Sequence, residues 1–450
     1  MSEEATLNDF AESEENDSTN LELGPIELGL PVEWKSTELS DLFNLITGNN
    51  YSGDNLSDDD NGGRIFLTLK SINKGGGFNW DSLKYYSGEV NEREIVKPGE
   101  LLIANTDVTQ NGDIIGYSAR VPDFDSRKEI AASMDLSILR PTSDSVNLRY
   151  TEYLLQTDYI HSRMRAFSAG STVLHLNTDL VKSLSIPLPP LPEQRKIATV
   201  LYTVNRAIEK TEEIIEQYRR VYTGLLQSEF HEAREDDTKD AGALGRIPIS
   251  WSIVPISDVA EVTMGNSPKS EHYNSDGDGL PFYQGANEFG ERSPTADRWC
   301  SAPKKVGKPG DTLLNIRSHT NVGKVNKAHH ECCIGRGLAA ITPGEKIDGD
   351  YLYHHLRERE NYINSIASGS TFDSVNTEEV ESVKIALPPM DTQRAIASSL
   401  NNIQNGILNQ KDLLEKFGRL KHGLMQDILS GTVRTTDTNI EVPDEIAQHG

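Results

Sequence analysis

A chain of 450 residues with 69 acidic and 44 basic side chains carries a formal net charge of −25. This length allows two or three domains with substantial cores. No apolar run approaches the roughly 18 residues that cross a membrane, and the N-terminus has neither the basic nor the apolar segment of a signal peptide. Because Cys300, Cys332 and Cys333 are the only cysteines, a disulfide framework is excluded and a reducing cytoplasm is expected.

Part of the negative charge lies at the N-terminus. Residues 1–28 hold nine carboxylates and no Lys or Arg, which predicts a disordered acidic tail. The remaining acid is spread over the chain, as in proteins that stay soluble in concentrated salt. DNA binding depends on local Lys and Arg, so this balance speaks against a nucleic-acid ligand unless cations cluster somewhere.

A first globular module starts near residue 30, and the same start recurs 217 positions later. The sequence LPVEWKSTELSDLFNLITGN at residues 30–49 matches IPISWSIVPISDVAEVTMGN at residues 247–266. The alignment pairs Pro31 with Pro248, Trp34 with Trp251, Asp41 with Asp258 and Gly48 with Gly265. The chain is therefore a duplication, and each copy is expected to open with a short helix and a core tryptophan.

Inside the modules, apolar runs of four to six residues bounded by Gly, Pro, Asn and Asp predict short strands. These runs lie in residues 65–70, 95–105, 132–141, 280–289, 306–324 and 335–344. A helix is predicted around residues 151–166 and again around residues 350–366. The interiors of the two modules otherwise differ strongly, which is what a duplicated recognition module with changed reading surfaces would look like.

At residue 187 the pattern changes to that of a long helix, which also occurs twice. Residues 187–230 align with residues 386–429 without a gap, and 22 of the 62 positions from residue 169 to residue 230 are identical in the two copies. Apolar residues step by four and three, which is the a/d seam of a heptad repeat. The apolar seam residues are Ile197, Leu201, Val204, Ile208, Ile215, Ile396, Leu400, Ile403, Ile407 and Leu414.

Each helix should span about 35 to 38 residues, or about 55 Å. One such helix alone would leave its apolar stripe in water, whereas two copies in one chain supply each other's partner. The pattern therefore favours an intramolecular coiled coil over the alternative of two unrelated core helices. Thr211 and Gln410 are polar at the same seam position and could fix its register.

These patterns predict an α+β fold with two tandem modules of short strands and helices and two long helices, related as a pseudo-two-fold duplication. The predicted boundaries are a tail at 1–28, a first module at 29–186, a central helix at 187–232, a linker at 233–246, a second module at 247–385, a C-terminal helix at 386–434 and a flexible tail at 435–450.

Motifs of catalysis are missing from the sequence. It has no GxxxxGK[ST] phosphate loop, no GxGxxG after a strand and no GxSxG elbow. The one metal-like cluster is HHECC at residues 329–333, but adjacent His and Cys pairs fit the spacing of zinc ligands poorly. We therefore predict no catalytic residues, no cofactor and no metal, and we interpret the cysteines as buried apolar residues.

Binding signals are clearer in the second module. Residues 298–336 contain eight Lys and Arg against two carboxylates, interleaved with Asn, Ser, His and Thr that suit base edges. A solvated loop with incidental charge is the alternative. A weaker signal surrounds Gly75 to Gly77 in the first module. The hydroxyls of the Gly-Ser-Thr runs suit phosphate contacts, although turn capping explains them as well. The candidate DNA-binding residues are Lys70, Asn73, Lys74, Asn79, Ser171, Thr172, Arg298, Arg317, His319, Asn321, Lys324, Arg336, Ser370 and Thr371.

With these features the chain resembles the specificity subunit of type I restriction-modification enzymes. The resemblance rests on the duplicated unit, the Pro-x-x-Trp entry, the Gly-Ser-Thr element, PLPPLPEQRKIA at residues 187–198 and its repetition at residues 386–397. It spans residues 30–434 and implies two target recognition domains held apart by an antiparallel pair of helices, each domain reading one half of a bipartite, asymmetric DNA site. The second copy departs from the pattern at Asp391 and Thr392, where the first has Pro192 and Glu193.

The resemblance also implies partners. These are double-stranded DNA, two adenine methyltransferase (modification) subunits and restriction subunits that use ATP, and no membrane. A coiled-coil scaffold without base-specific DNA readout is the alternative, but it leaves two diverged modules of about 150 residues each without a task. A free-standing enzyme would need catalytic residues that the sequence does not supply.

Overall fold

The computed structural model describes residues 19–23, 26–60, 62–109, 111–124, 128–231, 237–367 and 373–447, with side chains from residue 29 onward except at residue 231. The chain divides into two compact units. Unit 1 contains Met1–Glu209 and Lys416–Gly450, and unit 2 contains Lys210–Glu415. Within the described residues, no helix is both long enough and apolar enough to cross a membrane.

Unit 1 contains the first module. Its strands are β1 (Thr19–Leu23), β2 (Ile26–Leu30), β3 (Lys35–Glu38), β4 (Phe43–Thr47), β5 (Leu56–Ser57), β6 (Arg64–Leu67), β7 (Lys84–Tyr86), β8 (Ile95–Val96), β9 (Leu101–Ala104), β10 (Thr106–Asp107), β11 (Ser118–Arg120), β12 (Ile130–Ala132), β13 (Leu136–Pro141), β14 (Ser168–Ala169), β15 (Leu174–Leu176) and β16 (Ser185–Leu188). Its helices are α1 (Leu39–Leu42), α2 (Leu148–Leu155), α3 (Asp158–Ala166) and α4 (Thr178–Lys182), and the long helix α5 (Leu191–His231) follows.

Unit 2 contains the second module. Its strands are β17 (Thr238–Asp240), β18 (Arg246–Pro248), β19 (Ser252–Pro255), β20 (Ala260–Met264), β21 (Tyr273–Asn274), β22 (Leu280–Tyr283), β23 (Trp299–Cys300), β24 (Val306–Gly307), β25 (Thr312–Asn315), β26 (Arg317–Ser318), β27 (Val325–Lys327), β28 (Cys332–Ile334), β29 (Leu338–Pro343), β30 (Asp373–Ser374) and β31 (Lys384–Leu387). Its helices are α6 (Gly349–Glu358), α7 (Glu360–Ile366) and α8 (Thr377–Ser382). The second long helix, α9 (Met390–Leu429), follows, and α10 (Asp444–Ala447) lies near the C-terminus.

The two modules have the same strand order although their sequences diverge. In unit 1 a four-stranded sheet has the order β11-β9-β13-β4 and a five-stranded sheet the order β5-β7-β6-β12-β8. Unit 2 has the matching orders β27-β25-β29-β20 and β21-β23-β22-β28-β24. One pair in each five-stranded sheet is parallel, β6 with β12 and β22 with β28. The duplication therefore covers the modules as well as the long helices.

The central strands explain why the sequence shows apolar runs rather than alternation. All four residues of β9 and of β25 are buried, because each strand lies inside its sheet with both faces covered. The turn before each strand uses the same backbone conformation, since Gly99 and Gly310 have φ values of 90° and 92°.

Each module begins with a hairpin that the sequence did not predict. Strands β1 and β2 pair antiparallel with Thr19 opposite Leu30, and β17 and β18 pair with Thr238 opposite Pro248. The predicted disordered tail is therefore wrong for residues 19–23 and 26–28, while residues 1–18 lie outside the described residues. The predicted linker also contains ordered strands. The composition of these segments did not predict the strands, because their pairing depends on backbone hydrogen bonds rather than on side-chain type.

The single helix predicted before the Gly-Ser-Thr element is two helices in each unit. In unit 1, α2 ends before Gln156 and Thr157, and the Thr157 hydroxyl donates to the Leu154 carbonyl at 2.6 Å. In unit 2, Arg359 separates α6 from α7. A hydroxyl bonded to its own chain closes the helix end locally, which an apolar pattern does not reveal.

The long helices exceed their predicted length, with 41 residues in α5 and 40 in α9. Helix α5 starts at Leu191 because Pro192 falls in its first turn, where a proline is tolerated. The ten predicted seam residues are all buried or half-buried. At the polar seam position Thr211 is buried and Gln410 is half-buried.

Within each unit the halves of α5 and α9 run antiparallel. In unit 1, Lys421 Nζ donates to Asn205 Oδ1 at 2.8 Å, and Arg434, just beyond α9, bonds Glu193 near the start of α5 at 2.7 Å. In unit 2, Gly406 lies against the ring of Tyr218. Later positions of α5 thus meet earlier positions of α9, which is the antiparallel arrangement expected from the resemblance.

A buried glutamine fastens the start of each long helix to its module. Gln194 accepts from the Asn147 backbone N–H at 2.8 Å and donates to the carbonyls of Ser145 and Pro189 at 3.1 and 2.9 Å. Gln393 makes the same three bonds, to the Asp348 N–H and to the carbonyls of Lys346 and Pro388, at 2.8, 3.2 and 2.9 Å. The PEQR and DTQR motifs are therefore attachment points, which sequence reasoning had treated only as a helix entry.

The C-terminal segment is part of the unit 1 core. Ile446 is fully buried, and its carbonyl accepts from the Asn147 side chain at 2.9 Å. Lys196 donates to the carbonyl of Thr436 at 2.7 Å. The predicted flexible tail at residues 435–450 is therefore wrong for residues 435–447, whereas residues 448–450 lie outside the described residues.

The HHECC run is split between interior and surface. Cys332 and Cys333 are buried with Cys300, and burial raises the pKa of Cys332 and of Cys333 to about 12. His329 and His330 are exposed. Among the described residues no group of three or more His, Cys, Asp or Glu is placed to hold a metal ion.

A buried histidine joins the two long helices to the module of unit 2. His354 accepts at Nδ1 from the Tyr222 hydroxyl of α5 at 2.8 Å, and its Nε2–H donates to Asn401 Oδ1 of α9 at 2.9 Å. This neutral tautomer satisfies both partners. Burial lowers the pKa of His354 to about 4, against the opposing effect of the Asn401 hydrogen bond.

Replacing Gln194 by Ala should lower the free energy of unfolding of unit 1 by about 2 to 3 kcal/mol, because buried backbone groups lose their partners. Gln393→Ala should have the same effect in unit 2. Chemical denaturation of each variant measures the change. The matched control is Gln426→Ala, at an exposed glutamine of α9, for unit 1 and Gln227→Ala, at an exposed glutamine of α5, for unit 2. Equal stability of Gln194→Ala and Gln426→Ala would contradict this role.

Stability should fall as the pH drops from about 6.5 to 4, because the unfolded chain protonates His354 in a range where the folded chain does not. The expected loss between pH 7 and pH 5 from this residue is about 2 kcal/mol. Denaturation of the wild type and of His354→Gln at both pH values tests this, with His272→Gln at the surface as control. An identical pH dependence in His354→Gln and wild type would exclude the linkage.

Candidate nucleic-acid interface

Each module presents one loop at an equivalent place. In unit 1, residues 108–117 connect β10 to β11, and we call this segment loop L1. In unit 2, residues 319–324 connect β26 to β27, and we call this segment loop L2. Short sheets hold the loop starts, in the order β10-β15-β14 in unit 1 and β26-β30 in unit 2.

Loop L1 is shaped by a buried carboxylate. Asp107 is fully buried, and its Oδ1 accepts from the backbone and hydroxyl of Thr109, both at 2.7 Å. Its Oδ2 accepts from the backbone N–H groups of Ile114 and Ile115 at 2.6 and 3.0 Å. Burial opposes ionisation of this carboxyl, but the hydrogen bonds outweigh it and lower the pKa of Asp107. The loop is thus held around a carboxylate whose charge is stabilised by the N–H and hydroxyl groups of the loop itself.

Loop L2 contains or adjoins four of the predicted DNA-binding residues. Arg317 and His319 are exposed at its start. Asn321 is half-buried, and its backbone carbonyl accepts from the Asn315 side chain at 2.7 Å. Lys324 pairs with Glu360 of α7 at 2.7 Å and keeps 53% of its side chain exposed. The structure brings these four residues together on one surface.

One pair of equivalent positions joins each loop to the helix that follows it. The side chains at this pair differ between the two units. In unit 2 the pair is the ion pair of Lys324 with Glu360. In unit 1 the corresponding pair is Tyr117 with His161, whose rings stack at 3.9 Å between centroids. Burial lowers the pKa of His161 and favours the neutral ring of this stack. The same two positions therefore meet in both units, although the side chains that occupy them differ.

The predicted residues of unit 1 also come together. Lys70, Asn73, Lys74 and Asn79 line one surface depression of about 450 Å³. Asn73 and Asn79 donate to the carbonyls of Phe78 and Lys70 at 3.0 and 2.9 Å, so both amides shape the loop. Lys74 pairs with Asp113 of loop L1 at 2.6 Å and remains 67% exposed. Lys70 is exposed at the edge of the depression.

The Gly-Ser-Thr element of unit 1 is an exposed turn between β14 and β15. Ser171 and Thr172 are both exposed. Gly170 has a φ of 138°, and a Cβ there would lie 2.0 Å from the Val173 carbonyl, which explains the glycine. Ser370 and Thr371 of unit 2 lie outside the described residues.

Two predicted residues form a second group in unit 2. Arg298 pairs with Glu288 and Asp297, each at 3.4 Å, and Arg336 is exposed in the turn between β28 and β29. Burial is the largest influence on the pKa of Tyr273 and raises it. The charges of Arg298 and Arg336 act in the opposite direction with a smaller effect. The predicted basic island of residues 298–336 is therefore two groups, one at loop L2 and one at the five-stranded sheet.

These surfaces offer guanidinium, ammonium, imidazole, amide and hydroxyl groups, the donors and acceptors that contact phosphates and base edges. Sequence reasoning missed Asp107 and the Tyr117–His161 joint. No single spacing marks this joint in the sequence, because the partners are 44 positions apart in unit 1 and 36 in unit 2. The joint becomes visible when Gly116 is aligned with Gly323 and His161 with Glu360.

Comparison with known proteins gives a family. Residues 31–217 and 248–416 match the type I restriction modification DNA specificity domain. The chain is 29% identical over 424 residues to a protein assigned as the MjaX type I restriction enzyme specificity subunit of Methanocaldococcus jannaschii, covering 91% of this chain and 96% of that protein. It is 25% identical to the EcoKI specificity subunit of Escherichia coli over 204 residues, which cover 42% of this chain and 44% of that protein.

Solved structures share the fold. One, from a study of complex assembly and conformational transition in the type I R-M system, superposes with a TM-score of 0.55 at 24% identity, covering 90% of this chain and 99% of the other. The type I restriction-modification S subunit of M. genitalium superposes with a TM-score of 0.58 at 15% identity, covering 88% and 96%. With two matched domains that span more than half of its length, this chain belongs to the family of type I restriction-modification DNA specificity proteins.

Proposed function

We propose that this chain is the DNA-reading subunit of a type I restriction-modification complex and recognises a bipartite, asymmetric site. The observation that carries the proposal is the pair of modules with one strand order and different side chains on equivalent loops. A common frame with exchanged contact residues is what two readers of different half-sites require. A scaffold without DNA readout has no use for loops that differ in this way.

Tethering two readers explains how short recognitions become specific. A module that reads three to five base pairs at about 1 to 3 kcal/mol each discriminates poorly in a genome. Linking two modules makes the second binding event intramolecular. The long helices would set the distance between half-sites. Their length, rather than their side-chain chemistry, would then determine the spacer.

The proposed DNA contacts are the grouped residues described above. At loop L2 they are Arg317, His319, Asn321 and Lys324, and in unit 1 they are Lys70, Asn73, Lys74 and Asn79. Ser171 and Thr172 offer hydroxyls to phosphates. Arg298 and Arg336 add a second surface in unit 2, and Ser370 and Thr371 complete the set by repetition. The chain itself would supply no catalytic group, so methylation and ATP-dependent cleavage would belong to partner subunits.

A surface repeated on both long helices supports two copies of one partner. On α5, Glu216, Arg220, Gly224 and Gln227 are exposed on the face away from the seam. Identical residues recur at the same positions of α9, where Gly423 is half-buried and the others are exposed, as Glu415, Arg419, Gly423 and Gln426. Coiled-coil packing does not require these identities, so we attribute them to a shared ligand, the methyltransferase subunit.

Inserting one heptad into both helices should lengthen the unread spacer by about three base pairs, since seven residues add about 10.5 Å at 1.5 Å each and DNA rises 3.4 Å per base pair. The insertions go after Glu209 and after Glu415, where the two units meet along the chain. Co-expression with the neighbouring methyltransferase gene, followed by mapping of methylated adenines, reads out both half-sites and the spacer.

The matched control inserts the heptad into α5 alone, which mismatches the antiparallel pairing and should reduce methylation. An unchanged spacer in the double insertion would disprove the ruler. A wild-type complex that methylates no bipartite motif would disprove DNA readout and favour the scaffold.

Placing a charge on the repeated surface should remove one methyltransferase copy at a time. Val221 and Leu420 occupy equivalent positions beside this surface and are 55% and 48% exposed. Native mass spectrometry of the co-expressed complex should show one copy with Val221→Asp or Leu420→Asp and none with both. Leu408→Asp is the control, because Leu408 is exposed but its counterpart is Glu209. Two copies retained in the double variant would place the partner elsewhere.

A further inference from the structure

The surface around loop L1 carries its cations on a different element from the surface around loop L2. The two places correspond strictly, since Gly116 and Gly323 both have positive φ, 74° and 89°. A Cβ at Gly116 would meet Met164 of α3 at 2.2 Å, and one at Gly323 would lie 3.2 Å from the equivalent Ile363 of α7. Each loop therefore packs on the same turn of the following helix.

In unit 2 the loop is basic and the helix acidic. Arg317, His319 and Lys324 lie on or beside loop L2, and Glu360 faces them from α7. In unit 1 the arrangement is reversed. Asp107 lies at the end of β10 and Asp113 in loop L1, whereas α3 and β15 supply the basic side chains and α3 begins with one acid, Asp158. The cations are Arg163 and Arg165 of α3, and β15 adds the imidazole of His175.

Among the described residues, the acids near loop L1 form no ion pair with the two arginines of α3. Asp107 is surrounded by four hydrogen-bond donors, and Asp113 is paired with Lys74. Arg163 lies over the ring of Phe167 at 5.0 Å. Arg165 is exposed, and the described part of the chain supplies no carboxylate within ion-pair distance of it. Arg165 is therefore a cation without an ion-pair partner among the described residues, although the carboxylates of Asp107, Asp113 and Asp158 lie in the same region.

Arg165 borders loop L1 and the hairpin of β14 and β15. A Cβ at Gly112 of loop L1 would lie 3.4 Å from Arg165 Cγ and 3.3 Å from Leu174 Cδ1, so the arginine borders both the loop and β15. Its carbonyl accepts from the Ser168 hydroxyl at 2.7 Å, which fixes the end of α3 to the start of β14. The exposed hydroxyls of Ser171 and Thr172 and the exposed ring of His175 follow in the same hairpin.

We propose that Arg165, with the hydroxyls of the 170–173 turn, binds a backbone phosphate of the first DNA half-site. This inference rests on the proposed function and adds a residue that sequence reasoning did not select. A guanidinium presents two parallel N–H groups to phosphate oxygens, which suits Arg165 better than an ammonium for this contact. Phosphate contacts position the protein without reading sequence. Unit 2 makes the equivalent contact from loop L2. The two half-sites are therefore bound at equivalent places in the fold, but by different elements.

The test uses the full chain in its complex with the methyltransferase and a duplex carrying the mapped site. Arg165→Gln should weaken binding about tenfold at 0.1 M salt. It should also reduce the slope of log affinity against log salt by about 0.9, the value for one lost phosphate contact. The methylated motif should stay unchanged, because no base contact is removed. Arg165→Lys should restore the salt slope but only part of the affinity.

Arg93→Gln is the matched control, since Arg93 is 75% exposed in the same unit and lies next to Glu94 at 3.6 Å. An unchanged salt slope in Arg165→Gln would overturn the phosphate contact. A motif altered in the first half-site would overturn it as well, since it would make Arg165 a base reader. If the wild-type complex methylates a bipartite motif while Arg165→Gln keeps the wild-type slope, this inference alone fails. If the wild type methylates no such motif, the proposed function fails.

Discussion

The buried amides of Gln194 and Gln393 are the constraint on which each unit depends. A long helix can transmit a distance only if its start is fixed in direction relative to its module. Each glutamine satisfies one backbone N–H and two carbonyls that the turn before the helix would otherwise leave without partners. Losing a partner inside the protein costs about 1 to 3 kcal/mol per group, so a substitution here should loosen the helix start as well as destabilise the unit. The same bonds in both units explain why glutamine recurs at this position while Pro192 and Glu193 before it are replaced by Asp391 and Thr392.

The sequence was sufficient for the elements that depend on local periodicity. The heptad steps from Ile197 to Leu414 predicted two long helices, and their seam residues are buried or half-buried. The matched strand orders of the modules could not be read in the same way, because strands such as β9 and β25 are short and buried on both faces. The C-terminal segment was misjudged because one apolar residue, Ile446, and backbone hydrogen bonds attach it. Composition does not report such contacts.

The candidate site shows the same limit in its charges. Lys74 and Lys324 could be chosen as basic residues near turns, but their partners are 39 and 36 positions away in sequence. Only the fold shows that both are paired and still largely exposed. The fold likewise shows that the Tyr117–His161 stack of unit 1 takes the place of the Lys324–Glu360 ion pair of unit 2. The backbone geometry of Gly116 and Gly323 fixes where the two positions meet. Both a ring stack and an ion pair are compatible with that geometry.

The two units also differ in how a loop is tied to the long helices. In unit 2, Glu291 bonds Lys411 of α9 at 2.5 Å and Arg219 of α5 at 3.4 Å. Burial disfavours the charge of Glu291, but these cations outweigh it and lower the carboxyl pKa. In unit 1 the corresponding segment contains Lys74 and Gly75, and a cavity of about 410 Å³ separates Gly75 from the α9 residues Gly418 and Lys421.

The loop of unit 2 is therefore tied to both helices by ion pairs, whereas the segment at Gly75 faces α9 across a cavity. Two modules of the same fold are thus attached to the long helices in different ways. The module of unit 2 is attached by ion pairs, and the module of unit 1 mainly through Gln194 and the C-terminal segment.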